Sequence, residues 1–104
     1  MNEHPIWKHV DENSTRFHQL AEKVWDSPET CYAERLSVQA HLEELEYQKF
    51  KITENVSSIP TAIIGEAGSG GPVIAILGEF DALAGLSQIA DLPQEQSIIS
   101  GGNG

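Results

Sequence analysis

The chain has 104 residues, 39 % of them apolar, and its sixteen acids against six bases leave a net charge of −10. That length fits one small domain or a piece of a larger one, and the acidity argues against a nucleic-acid partner, whose phosphates call for basic groups. No apolar run reaches the roughly 18–20 residues of a membrane span, none follows a basic N-terminus as a secretory leader would, and one cysteine excludes an internal disulfide or Cys-cluster zinc site, so no membrane partner and a cytoplasmic location are expected.

The composition changes midway. All six Lys and Arg lie at or before Lys51, and all nine glycines at or after Gly65. A helical first half and a strand-and-turn second half account for the change. Over 5–26, Ile6, Trp7, Val10, Phe17, Leu20, Ala21, Val24 and Trp25 fall on one helical stripe, which predicts an amphipathic helix against a core. Ser27-Pro28-Glu29 carries helix-start chemistry: a capping hydroxyl, a proline suited to the first turn, and an acid at the positive end of the dipole. A second helix is expected over 28–48, with two apolar stripes that would wedge it between neighbours.

Phe50–Val56 alternates apolar and polar residues and predicts a half-buried strand over 50–56, followed by a turn at Ser57–Pro60 and a second strand over 61–66. Gly68-Ser69-Gly70-Gly71 is a flexible loop. After Pro72, Val73–Leu77 is continuously apolar, the pattern of a strand buried on both faces, expected over 73–80. From Gln88 to Gly104 no periodicity remains.

The run ends in Gly78-Glu79-Phe80-Asp81. A strand's period of two places Glu79 and Asp81 on one face, at the carboxyl end where open α/β sheets bind ligands. Such a pair can orient a metal-bound histidine, bind a metal or act as a general base; it can equally be the solvated lip of a strand. The glycine-rich stretch lacks the Lys and the following helix of a phosphate loop and reads as a hairpin loop. His4, His9, His18 and His41 share no three- or four-residue spacing, so surface histidines are expected; Cys31 is expected as a buried, inert thiol.

Four stretches carry a family resemblance. They are Trp25-Asp-Ser-Pro28-Glu29 followed by Glu34, Ile59-Pro60-Thr61-Ala62, the block from Gly70 to Leu83, and Gly85-Leu86-Ser87-Gln88. In this order they resemble the start of the metal amidohydrolases and peptidases of the aminoacylase/carboxypeptidase type, in particular the aminobenzoyl-glutamate hydrolase branch. Ala84 stands where that family usually has proline. The implied fold class is α/β: two N-terminal helices, a hairpin-like pair of strands and a central buried strand, with 1–104 an incomplete part of a larger catalytic domain.

The resemblance implies hydrolysis of an amide bond in N-acyl amino acids, aminobenzoyl-glutamate or dipeptides, with Zn²⁺ or Mn²⁺ as cofactor of the complete enzyme. Asp81 is carried across as an orienting group beside the metal, and Glu79 as a neighbour of undecided role. The branch's first metal ligands sit in a histidine- and cysteine-rich segment shortly after the stretch matching Gly85–Gln88. Gly102-Asn103-Gly104 resembles the approach to it, so this chain is expected to hold no metal and to be inactive alone. An alternative is a non-catalytic interaction module on the same scaffold. With part of its cover supplied elsewhere, Val73–Leu77 is expected to leave an apolar patch or open strand edge, and hence self-association.

Overall fold

The computed structural model describes residues 4–104, so the first three residues of the expected 1–104 unit lie outside the described part. The chain is a small mixed α/β piece: α1 (Pro5–Trp25), α2 (Arg35–Tyr47), β1 (Lys51–Glu54) and β2 (Ile63–Glu66). Pro5 opens α1 and the His4 ring Nδ1 accepts the Ile6 N–H at 3.3 Å, which satisfies one of the free donors of the first turn.

The second helix starts seven residues later than its local start signals suggest. Residues 26–34 form an irregular loop in which Tyr32 has φ 64°, incompatible with a continuous helix. The Glu29 carboxylate acts across this loop. It accepts the N–H groups of Arg35, Leu36 and Ser37 at 2.9, 3.0 and 2.8 Å, and so caps α2 from six residues upstream. At the other end Lys49, with φ 64°, reverses the chain. Its N–H reaches the Glu46 carbonyl and that of Phe50 reaches Leu45, both at 3.0 Å, the bond pair of a Schellman C-cap.

The helices are tied by the Arg16 guanidinium, whose Nε donates to both Glu44 oxygens at 2.8 and 2.6 Å while the group lies 3.4 Å over the Tyr47 ring. Burial pushes the Glu44 carboxyl up, but hydrogen bonds from Gln48 and Arg16 and the charges of Arg16 and Lys23 outweigh this and hold it below the usual range.

β1 and β2 pair antiparallel, with Ile52 opposite Gly65 and Thr53 opposite Ile64. Gly65 lies against the end of α2: a Cβ there would come within 2.8 Å of Leu45 Cδ2 and 3.3 Å of Phe50 Cδ1. The strands are shorter than the expected 50–56 and 61–66, because Asn55, Ser57 and Ser58 all take positive φ and break the ladder.

The third expected strand, over 73–80, is not a central buried strand within this piece. Val73, Ile74, Ile76 and Leu77 are 84–96 % exposed, and no backbone hydrogen bond joins 67–81 to another described residue. A strand is defined by its neighbours, and none of the described residues supplies them. Only at its exit does the segment take β geometry, through a parallel bridge between Ala82 and Thr30. The stripe of α1 is likewise half covered, with Trp7 66 % and Trp25 59 % exposed; among the described residues Val38 and Ala40 are the buried hydrophobic side chains.

Candidate functional site

The acidic end of the apolar run sits in a cleft of about 810 Å³ between the C-terminal half of α1, the start of the 26–34 loop, α2, and the two segments 79–88 and 98–104. Glu79 and Asp81 both line it, as do Phe17 and Trp25 of the first helix, His41 of the second and Asn103. Both carboxylate residues are exposed to solvent.

Each wall is fixed by identifiable bonds. The Ala82 N–H donates to the Glu29 carbonyl at 2.8 Å, so the residue after Asp81 is held against the loop that caps α2. Leu83 and Gly104 exchange both backbone bonds, at 2.6 and 3.0 Å, the Ser87 N–H donates to Gly102, and Asn103 Nδ2 reaches the Pro28 carbonyl at 3.2 Å. The Ser87 hydroxyl, in a buried residue, accepts the Ile99 N–H at 3.2 Å. Gln88 accepts from Gln96 N–H at 2.9 Å and donates to the carbonyls of Ile89 and Gln94. The stretch from Gln88 onward, featureless in sequence, is therefore a loop stapled by side chains.

His41 departs from the surface role expected of the histidines. It is half-buried in the cleft wall and stacks on Phe80 at 4.5 Å between ring centroids, with the planes at 24°. Its Nδ1 lies 2.7 Å from the Ser37 carbonyl, which can only accept, so Nδ1 carries the hydrogen and Nε2 is the acceptor of the neutral ring. A test of spacing between histidines could not find this, because the partners are a backbone carbonyl one turn back and an aromatic ring far along the chain. Cys31 departs too: it lies in the 26–34 loop rather than on a helix and is exposed.

A zinc or manganese site needs a convergent donor set. Among the described residues no group of three or more His, Cys, Asp or Glu side chains is placed to hold a metal. His41, Glu79 and Asp81, though on one cleft, do not make such a set, so the residues present do not fit the ion by themselves. No helix of the described chain is long and apolar enough to cross a membrane.

The chain is similar to a hydrolase subunit. It is 44 % identical over 95 residues to a p-aminobenzoyl-glutamate hydrolase subunit of Escherichia coli (strain K12). The match takes in 91 % of this chain and 20 % of that protein, so the chain spans about one fifth of its relative's length. No family model and no solved structure matches it.

Proposed function

We propose that the chain forms one part of a cytoplasmic amidohydrolase subunit and contributes the cleft wall that ends in Asp81. The observation that carries this reading is the extent of the match: 91 % of the chain aligns with a p-aminobenzoyl-glutamate hydrolase subunit at 44 % identity. The substrate is the amide bond of aminobenzoyl-glutamate or of a related N-acyl amino acid or dipeptide.

The Zn²⁺ or Mn²⁺ that the sequence resemblance implies draws its ligands from polypeptide other than this chain, and the chain by itself is inactive. Within the wall, Asp81 is a positioning residue. It follows Phe80, which stacks on His41, and precedes Ala82, which is pinned to Glu29, so its backbone is held on both sides. Glu79, exposed on the cleft, has no such support and adds negative charge to the lip. Alone, the chain self-associates through the bare 73–77 run.

The test is a chimera in which this chain replaces the matching stretch of the Escherichia coli protein. The chimera is expected to release p-aminobenzoate from p-aminobenzoyl-glutamate. Asp81→Asn in it should lower kcat about 10- to 100-fold, the usual effect of losing a group that orients a site. Glu79→Gln should change it less than about threefold, as expected of a solvated group. A folded chimera without hydrolysis overturns the functional reading; full activity with Asp81→Asn overturns the role of Asp81.

A further inference from the structure

Every residue from Glu66 to Glu79 is exposed, and the backbone from 67 to 81 makes no hydrogen bond with another described residue. Phe80 breaks that pattern. It is half-buried, and its ring lies on that of His41 at 4.5 Å between centroids, with the planes at 24°. His41 is itself anchored. Its Nδ1 donates to the Ser37 carbonyl at 2.7 Å, and Ser37 is fully buried with its own N–H on the Glu29 carboxylate at 2.8 Å. The imidazole is a fixed plate in the cleft wall, tied to α2 through one nitrogen while its faces stay free for stacking.

Glu29 closes the arrangement from the other side, since its carbonyl accepts the Ala82 N–H at 2.8 Å. Asp81 is thus bracketed by two arms that both begin at Glu29. The short arm reaches residue 82 directly; the longer one runs through Ser37 and His41 to residue 80. One anchor leaves the two soft torsions of Asp81 free, whereas anchors on both neighbours restrain them. We propose that His41 is a positioning residue: by holding Phe80 it fixes where the Asp81 carboxylate is presented in the cleft. This rests on the reading of Asp81 as an orienting group of an amidohydrolase. His41 acts through Phe80, and neither substrate nor reacting atoms need touch it.

The experiment uses the chimera with the Escherichia coli protein. His41→Ala is expected to lower kcat about 10-fold with KM changed less than about threefold, the mark of a misplaced group rather than a lost binding contact. In the Asp81→Asn chimera the same substitution should cost less than about twofold more, because the two residues act as a unit; a general loss of folding would add in full. His41→Phe, which keeps a stacking face, should stay within about threefold of the unsubstituted kcat. Hydrogen exchange reads the same arm without activity: in His41→Ala the Ala82 amide should exchange at least about fivefold faster, with the amides of β1 and β2 unchanged. A folded chimera that does not hydrolyse defeats the hydrolase reading, and exchange at Ala82 then still decides the role of His41. An unchanged kcat in His41→Ala, a loss that adds in full to that of Asp81→Asn, a His41→Phe no better than His41→Ala, or an Ala82 amide indifferent to the substitution each overturns the proposal.

Discussion

Glu29 acts at both of its ends. Its carboxylate takes three amides at the start of α2, and its carbonyl takes the amide next to Asp81. Burial pushes the Glu29 carboxyl up, but the amides of Leu36, Ser37 and Arg35, with the Ser37 hydroxyl, outweigh this and hold it below its usual range. A carboxyl lowered in the folded state stabilises fully above its unfolded value of ~4.3, and the stabilisation is lost as pH falls through the lower folded value. Glu29→Gln is therefore expected to remove about 1 kcal/mol from α2 at neutral pH and to flatten the acid limb of its melting curve, followed by circular dichroism. Lys49 offers a change of opposite sign. Its φ of 64° strains an L-residue by ~1–2 kcal/mol, and Lys49→Gly gives back roughly half of that as unfolded-chain freedom, so a net gain of about 0.5 kcal/mol in stability is expected from urea titration.

At the scale of elements, the loop from Ser87 to Ile99 depends on two side chains. Ser87→Ala leaves the Ile99 N–H without its acceptor, and Gln88→Ala removes three bonds. Each substitution should cost on the order of 1 kcal/mol locally and accelerate proteolysis between 89 and 99, with α1 unaffected. The elements also separate what sequence alone can say from what it cannot. α1 is legible because a 3.6-residue apolar period is a property of one segment. The start of α2 is not, because Ser27-Pro28-Glu29 signals a start where it stands, yet its carboxylate acts on amides six to eight residues on. The 73–80 run is legible as a strand by composition, but pairing belongs to two segments and its partners are not among these residues. At the site, Glu79 and Asp81 line one cleft, but so do Phe80 between them and Ala82 after them, so the alternation of a strand is not what places them there, and His41 enters it only through tertiary contact.

For the whole molecule, the described piece is less compact than a closed domain of its length. The radius of gyration is 16.6 Å, between the ~13 Å of a compact domain of this length and the ~32 Å of an unfolded chain. Glu34 fits the same picture: it is 8 % exposed, and its buried Oε2 has no hydrogen-bond partner among the described residues, a loss normally made good by a neighbour. The isolated chain is expected to associate, and association should rise with salt, because screening weakens the repulsion between copies that each carry −10. Light scattering from about 20 mM to about 500 mM NaCl, on the order of a fivefold drop in Debye length, checks this. Val73→Lys with Ile76→Lys should return the chain to monomer at either salt.

The exchanged pair of bonds between Leu83 and Gly104 also makes position 104 a ready point for a label. In an antiparallel pairing, whatever is attached after Gly104 is led back along Ala82 and Asp81. A fluorophore or spin label carried on one or two extra residues would thus be delivered to the acidic rim and would report on anything that enters there, without a single substitution in the rim itself.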